Sequence, residues 1–277
     1  MIIHDETTYR AHPALNYSSA KSLLKSPKHF QAALNRKFEP SREMIIGSAV
    51  HSIVLEGKQP SYIVRPADLD LRTKEGKAWR DKHAGKEIVT QEDNEIVVRA
   101  ATAVQASLDA QYLLKLCPHR EIGIVRHYEN VEIKGRLDAY GHDEASKPII
   151  LDFKTTGDAD PETWGKKAFG LRYPMQTAWY ESLLALELGL EEPPAYFWLV
   201  VETQDPFDVV IYQPPEEALE IGRAQMKHCI ELYKTCKETG KWPGYSRGII
   251  ELEVPFFEKR RWLNDQTLPT EGAAKDL

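Results

Sequence analysis

The sequence predicts an α/β fold: a central mixed β-sheet flanked by helices, with a helical segment at its N-terminus. Three observations point there. Helix-period and strand-period apolar patterns alternate along the chain. Two strand-like runs, 121–128 and 131–140, are separated by Glu129-Asn130, which suits a tight hairpin turn. The stretch PIILDFKT contains the continuous apolar run Ile149-Ile150-Leu151, the pattern of a strand covered on both faces. A length of 277 residues fits one large domain or two small ones. With 42% hydrophobic and 28% charged residues the composition is that of a globular protein, which excludes a disordered or fibrous chain. No internal repeat is visible, so a single domain is expected: a helical lead-in over 1–42, a core over 43–240 and an extension over 241–277.

Residues 1–16 read as irregular. Tyr17-Ser18-Ser19-Ala20 opens a helical stretch through Leu23, Leu24 and Phe30, which Ser26-Pro27 divides in two. Met44 to Leu55 reads as a deeply packed helix closed by Gly57. Tyr62-Ile63-Val64 is a short strand. Lys74 to Ala84 is a charged amphipathic helix around Trp79. Thr90 with Asp93 forms a capping box for a long helix reaching Lys115. After the hairpin and the strand Pro148 to Thr155 come helices over Pro161 to Phe169 and Tyr173 to Leu188. Strands Ala195 to Glu202 and Val209 to Tyr212 follow, then a helix from Pro214 to Thr239 closed by Gly240. PFFEKRRW is expected to pack on the body, and the final TEGAAKDL to fray.

No apolar run approaches the roughly 18 residues of a membrane span. The start, MIIHDETTYR, lacks the apolar region of a secretory signal, so a cytoplasmic location is expected. Cys117, Cys229 and Cys236 are too few for a disulfide framework and suit a reducing compartment. A net charge of −6 argues against a basic nucleic-acid-binding tail. It does not exclude DNA as a substrate, because a local basic surface suffices.

The chemistry concentrates in Gly135-Arg136-Leu137-Asp138 and Ile150-Leu151-Asp152-Phe153-Lys154-Thr155. Asp152 and Lys154 are two apart on a strand and share a face. Asp138, near the end of the neighbouring strand, can converge on the same spot. Two carboxylates supply hard oxygen ligands for Mg²⁺ or Mn²⁺, and the ammonium can orient a water and offset charge at a phosphoryl group. Arg136 would share the face of Asp138 and approach a phosphate. Against this stands a strand-edge salt bridge between Asp152 and Lys154. His51, alone on an apolar helix, is either a core residue or a metal ligand, with Gly47 and Ala49 permitting close approach to the sheet. Glu56 is left outside the site.

These segments, with Gly47-Ser48-Ala49-Val50-His51 and Tyr173-Pro174-Met175-Gln176-Thr177-Ala178-Trp179-Tyr180, resemble the RecB-like branch of the PD-(D/E)-x-K nuclease superfamily. The likeness is greatest to exonuclease VIII and related phage exonucleases, over roughly residues 15–240. The resemblance implies a restriction-endonuclease-like core. It implies His51, Asp138, Asp152 and the Phe153 carbonyl as metal ligands, Lys154 as the catalytic lysine, and Gln176 with Tyr180 closing the site. It implies Mg²⁺, with Mn²⁺ able to substitute, while the cysteines are too few for an iron–sulfur cluster.

The implied activity is digestion of linear double-stranded DNA from its ends, 5′ to 3′, releasing 5′-mononucleotides and leaving 3′ overhangs for recombination. A homotrimeric or homotetrameric ring and a single-strand annealing partner are implied with it, and a phage origin fits. Candidate DNA contacts are Arg72, Lys74, Arg136, Tyr173 and Gln176, with Lys77, Arg80, Lys166, Lys167 and Arg172 as further cations. An endonuclease on the same fold and a DNA-binding module without catalysis are the competing readings.

Overall fold

The computed structural model describes residues 1–36, 39–245 and 248–267. The chain opens with β1 (Ile2–Ile3), α1 (Glu6–Ala11), β2 (Leu15–Asn16) and α2 (Tyr17–Ala20), then a 3₁₀ turn over Lys21–Leu24 and α3 (Pro27–Leu34). There follow α4 (Arg42–Glu56), β3 (Ile63–Val64), α5 (Lys74–Lys82), β4 (Ile88–Val89), α6 (Gln91–Ala106) and α7 (Leu108–Leu116). The sheet strands β5 (His119–Tyr128), β6 (Val131–His142) and β7 (Pro148–Thr156) lead into α8 (Pro161–Gly170) and α9 (Tyr173–Leu188). Strands β8 (Ala195–Glu202) and β9 (Val209–Tyr212) precede α10 (Glu216–Thr239) and α11 (Phe256–Thr267).

The main sheet runs β1-β5-β6-β7-β8-β9, with β2 added in parallel against β6. It is mixed because β7 and β8 are parallel, joined over the top by α8 and α9. One face carries a core of Ile124, Ile133, Leu137, Ile150 and Trp198 under Trp164, Met175, Trp179 and Leu183 of α8 and α9. The other carries Ala139, Ile149, Leu151, Phe153 and Leu199 under Val50 of α4, Val97 and Val104 of α6, and Leu114 of α7. The expected helix–sheet–helix architecture is therefore present.

Local chemistry explains most boundaries. Ser41 caps α4 through its hydroxyl, and Gly57, at φ 61°, ends it in the left-handed conformation. Thr90 and Asp93 form the reciprocal capping box of α6. Glu129 and Asn130 both have positive φ (45° and 66°), which gives the β5–β6 hairpin the turn whose twist matches its strands.

Three expectations fail, and one strand went unnoticed. Residues 1–16 are not irregular. Ile2 and Ile3 pair with Ile124 and Gly123, Asp5 caps α1 by accepting from Thr8 N at 2.7 Å, and Leu15-Asn16 pairs with β6. These elements are too short to show a period. The helix after Thr90 does not run through to Lys115. Ser107 takes an extended conformation (ψ 115°), ends α6 and caps α7 with its side chain. Ile88-Val89, unnoticed in the sequence, pairs with Ile63-Val64. PFFEKRRW does not pack on the body: Phe256, Phe257 and Trp262 are exposed. The segment TEGAAKDL lies outside the described residues.

Candidate active site

The site forms where β6 and β7 part. Strand β6 pairs with β7 only from Ala139 to His142, and with β2 only at Ile133 and Lys134. Between them, on that edge, lies Asp138. Its Oδ2 fills the gap by accepting the Phe153 N–H at 2.8 Å. The alternation of β6 also reverses here, since Leu137 faces α9 whereas Ala139 faces α4 and α6. Opposite Asp138 on β5, Glu121 has φ 54°. That conformation costs a side chain about 1–2 kcal/mol, and such strain concentrates where function over-determines the backbone.

Three side chains converge at this reversal. His51 Nε2 lies 3.1 Å from Glu121 Oε1 and 3.5 Å from Asp138 Oδ1. One ligand atom from each of the three falls within 4.8 Å of the others. Helix α4 can present His51 because it has glycine where it crosses β7: a Cβ on Gly47 would stand 2.8 Å from Thr155 Oγ1. Glu121 Oε2 also accepts from Arg136 Nε at 2.8 Å. Arg136 therefore lies at the site, held by Glu121 rather than projecting freely.

Asp152 and Lys154 share a face of β7, as their spacing requires, and form an ion pair in direct contact. Asp152 is 1% exposed, and neither of its oxygens accepts a well-formed hydrogen bond. The Lys154 ammonium also lies 5.1 Å from the centre of the Tyr173 ring, a cation–π contact. Tyr173 packs near Trp164 and Trp198, so the ring meets the lysine and the core. On α9, Gln176 is buried, one helical turn before Tyr180. A Cβ on Gly135 would stand 2.8 Å from the Tyr180 ring, so glycine there lets α9 sit close to β6.

Acidic and basic groups alternate across the site: Arg136 pairs with Glu121, Lys154 with Asp152, and His51 lies between Glu121 and Asp138. Burial works against charge on His51, but Asp138 and Glu121 outweigh it and raise its pKa to about 10. Without a metal the imidazole thus holds a proton between the two carboxylates, a proton that a bound divalent ion would displace. Burial also works against ionised Asp138, yet His51, Lys154 and the Phe153 N–H hold its carboxyl well below the usual range. Asp152 goes the other way: burial, together with the charge of Asp138, pushes it up against the pull of Lys154. Burial pushes Tyr180 far above the ordinary tyrosine value, which leaves it a neutral hydrogen-bonding group.

The donor set fits a divalent ion. It has one imidazole nitrogen and carboxylates from Glu121, Asp138 and Asp152, with buried oxygens on Glu121 and Asp152 that accept no well-formed hydrogen bond and meet only the His51 ring and the Lys154 ammonium. Glu121 is the member that sequence reasoning missed. Its signal was present in the hairpin register: Tyr128 pairs with Val131 and Ile122 with Leu137, which sets Glu121 across from Asp138. Glu56, by contrast, pairs with Lys58 and hydrogen-bonds to Ser52.

Arg72 and Lys74 stand at the start of α5, both exposed, and Arg72 pairs with Asp70. Among the described residues no recorded contact joins them to the carboxylates. Lys166 pairs with Glu162, and Lys167 donates to Thr156 Oγ1 at 2.9 Å. Trp79 is half-buried and packs on the His83 ring. The three cysteines are buried and free, in positions suited to packing.

No helix among the described residues is long and apolar enough to cross a membrane. A search of curated proteins returns no match. Among solved structures, the chain is similar to the "Putative exonuclease" of Eubacterium rectale, with a TM-score of 0.57 at 11% identity, covering 92% of this chain and 97% of that one. This shows a shared fold. A second structure, SSO0001, matches at 16% identity over 69% of this chain and 85% of that one, with a TM-score of 0.28, too low to carry any argument. A family model, described as a PDDEXK-like domain of unknown function (DUF3799), matches residues 16–252, and the chain belongs to that family.

Proposed function

We propose that the protein is a metal-dependent deoxyribonuclease that degrades linear double-stranded DNA from its ends. The observation that carries this reading is the meeting of His51, Glu121, Asp138, Asp152 and Lys154 at the divergence of β6 and β7. Membership in the PDDEXK-like family supports it. His51, Glu121, Asp138 and Asp152 would hold Mg²⁺ or Mn²⁺, with the Phe153 carbonyl as a further oxygen ligand. Such an ion, when bound, lowers the pKa of an attacking water and offsets charge on the phosphoryl oxygens.

The chain's own groups do the rest. Lys154, fixed by Asp152 and the Tyr173 face, directs a water toward the phosphorus and counters the charge that builds in the transition state. Gln176, on the same face of α9 as Tyr180, would touch the substrate backbone. Arg136, held at the site by Glu121, would contact a phosphate. Asp138, tied to the Phe153 N–H, keeps its carboxylate fixed in position.

Action from ends, 5′-to-3′ polarity, release of 5′-mononucleotides, 3′ overhangs for recombination, a trimeric or tetrameric ring and an annealing-protein partner rest on the resemblance to exonuclease VIII-type enzymes. The test is incubation of end-labelled linear duplex, nicked circle and covalently closed circle with Mg²⁺. The proposal expects loss of the linear duplex alone, with labelled mononucleotide released early from the 5′ end. Equal cutting of closed circles would replace it with an endonuclease, and no metal-dependent cutting of any substrate would refute nuclease activity.

A further inference from the structure

Lys21 opens the 3₁₀ turn of the N-terminal segment. Its ammonium lies 5.2 Å from the centre of the Tyr17 ring. The Tyr17 hydroxyl in turn donates to the carbonyls of Leu171 (2.9 Å) and Arg172 (3.0 Å), the two residues that lead into α9. The next residue, Tyr173, supports the Lys154 ammonium on its ring. Two ammonium groups, each against a tyrosine face, are therefore fastened to one short stretch of backbone.

Their charge balance differs. Lys154 has Asp152 in contact. No carboxylate pairs with Lys21 among the described residues. Burial lowers the Lys21 pKa first, and the charge of Lys154 lowers it further. A partly buried cation with no acid to offset it is unfavourable unless an anion joins it. A DNA strand presents its phosphates in a row. With one phosphate at the carboxylates and Lys154, its neighbour along the strand meets the next cation on that surface.

We propose that Lys21, braced on Tyr17, binds a backbone phosphate of the attacked strand adjacent to the one being hydrolysed. This rests on reading the Asp138–Asp152–Lys154 site as a phosphodiester hydrolase. Lys21 makes a contact that positions the strand and does not touch the reacting atoms.

The experiment compares wild type with Lys21→Met, which keeps the apolar stem on Tyr17 without the charge, and with Lys21→Arg. Steady-state cleavage of linear duplex in Mg²⁺ is measured across a salt series, alongside duplex binding in Ca²⁺. One phosphate contact contributes a salt slope of about one, or about tenfold in affinity at 0.1 M salt. Lys21→Met should raise KM about tenfold, reduce kcat less, lower the salt slope by about one unit and leave Tm unchanged. Lys21→Arg should restore KM and slope. Wild-type KM and salt slope in Lys21→Met, with the wild type active, would overturn the Lys21 proposal alone. A fall in Tm that Lys21→Arg does not reverse would overturn it in favour of packing. Absence of metal-dependent cleavage in the wild type would instead sink the hydrolase reading. In that event the salt slope for binding in Ca²⁺ decides separately: unchanged in Lys21→Met, it removes the phosphate contact as well.

Discussion

Replacing Lys154 with alanine removes the one cation in contact with a carboxylate that is 1% exposed. Two consequences can be worked out. The first is catalytic. A preorganised charge or donor aimed at a developing phosphoryl charge is worth about 10²–10³ in kcat, and the loss should fall on kcat while metal and DNA binding persist. The second is structural. Breaking a buried ion pair costs about 3–5 kcal/mol when the surviving partner stays charged. Asp152 need not stay charged, because burial already raises its pKa against the pull of Lys154. Without the ammonium that pKa rises further, and the acid keeps its proton to higher pH. The sign follows from linkage. A carboxyl whose folded pKa is raised favours the fold below its unfolded pKa, and that contribution is lost as pH rises through the folded value.

The Tm deficit of Lys154→Ala should therefore be small near pH ~6 and larger near pH ~8.5. Mg²⁺ should narrow it by restoring a positive charge beside Asp152. The assays are end-labelled duplex cleavage and thermal melting at both pH values, with and without Mg²⁺. Turnover within about threefold of wild type would refute the catalytic role. A Tm deficit independent of pH would refute the charge argument for Asp152.

Other substitutions probe neighbouring parts of the account. His51→Ala should raise the Mg²⁺ concentration needed for half-maximal cleavage, and an unchanged requirement would return His51 to a packing role. Glu121→Gln should do the same and also free Arg136, and a wild-type metal titration would remove Glu121 from the donor set. Glu181 is 4% exposed, and burial raises its pKa from 4.5 to about 7, with Arg223 opposing. That difference corresponds to about 3 kcal/mol of stability lost between those two pH values. Glu181→Gln should thus melt higher than wild type at pH ~8 but not at pH ~4.5. A Cβ at Gly222 would stand 2.1 Å from the Pro174 carbonyl oxygen, so Gly222→Ala must push α10 from the start of α9. A loss of about 1–3 kcal/mol in chemical denaturation is expected, with reduced turnover as Gln176 shifts. Wild-type stability would contradict the close contact.

The sequence made legible what is carried by period and spacing. The shared face of Asp152 and Lys154 follows from strand geometry, and α9 lies where its pattern placed it, from Tyr173 to Leu188. The pleat reversal at Asp138 was not legible, because it arises from the left-handed backbone of Glu121, a residue that reads as an ordinary strand position. Nor could the sequence show that Arg136 is held by Glu121, since the guanidinium's partner is chosen by tertiary proximity. The short elements at the N-terminus escaped for another reason. Two-residue strands have no period, and they exist because β5 and β6 supply edges for them. Lys134 reinforces this: its buried ammonium donates to the carbonyls of Tyr9 (2.7 Å) and His12 (2.6 Å), tying the end of α1 to β6. The exposed apolar residues of α11 were misplaced onto the body because amphipathic composition does not specify which surface a helix meets.

The most direct test of the central claim is cleavage of duplex DNA by wild type and Asp152→Asn, each in Mg²⁺ and in excess EDTA. The side chain is nearly unchanged in shape by that substitution, so what is lost is the charge presented to a divalent ion and to Lys154. The account predicts cutting by the wild type in Mg²⁺ and none in the other three reactions. Cutting in EDTA, or by Asp152→Asn at the wild-type rate, would contradict it.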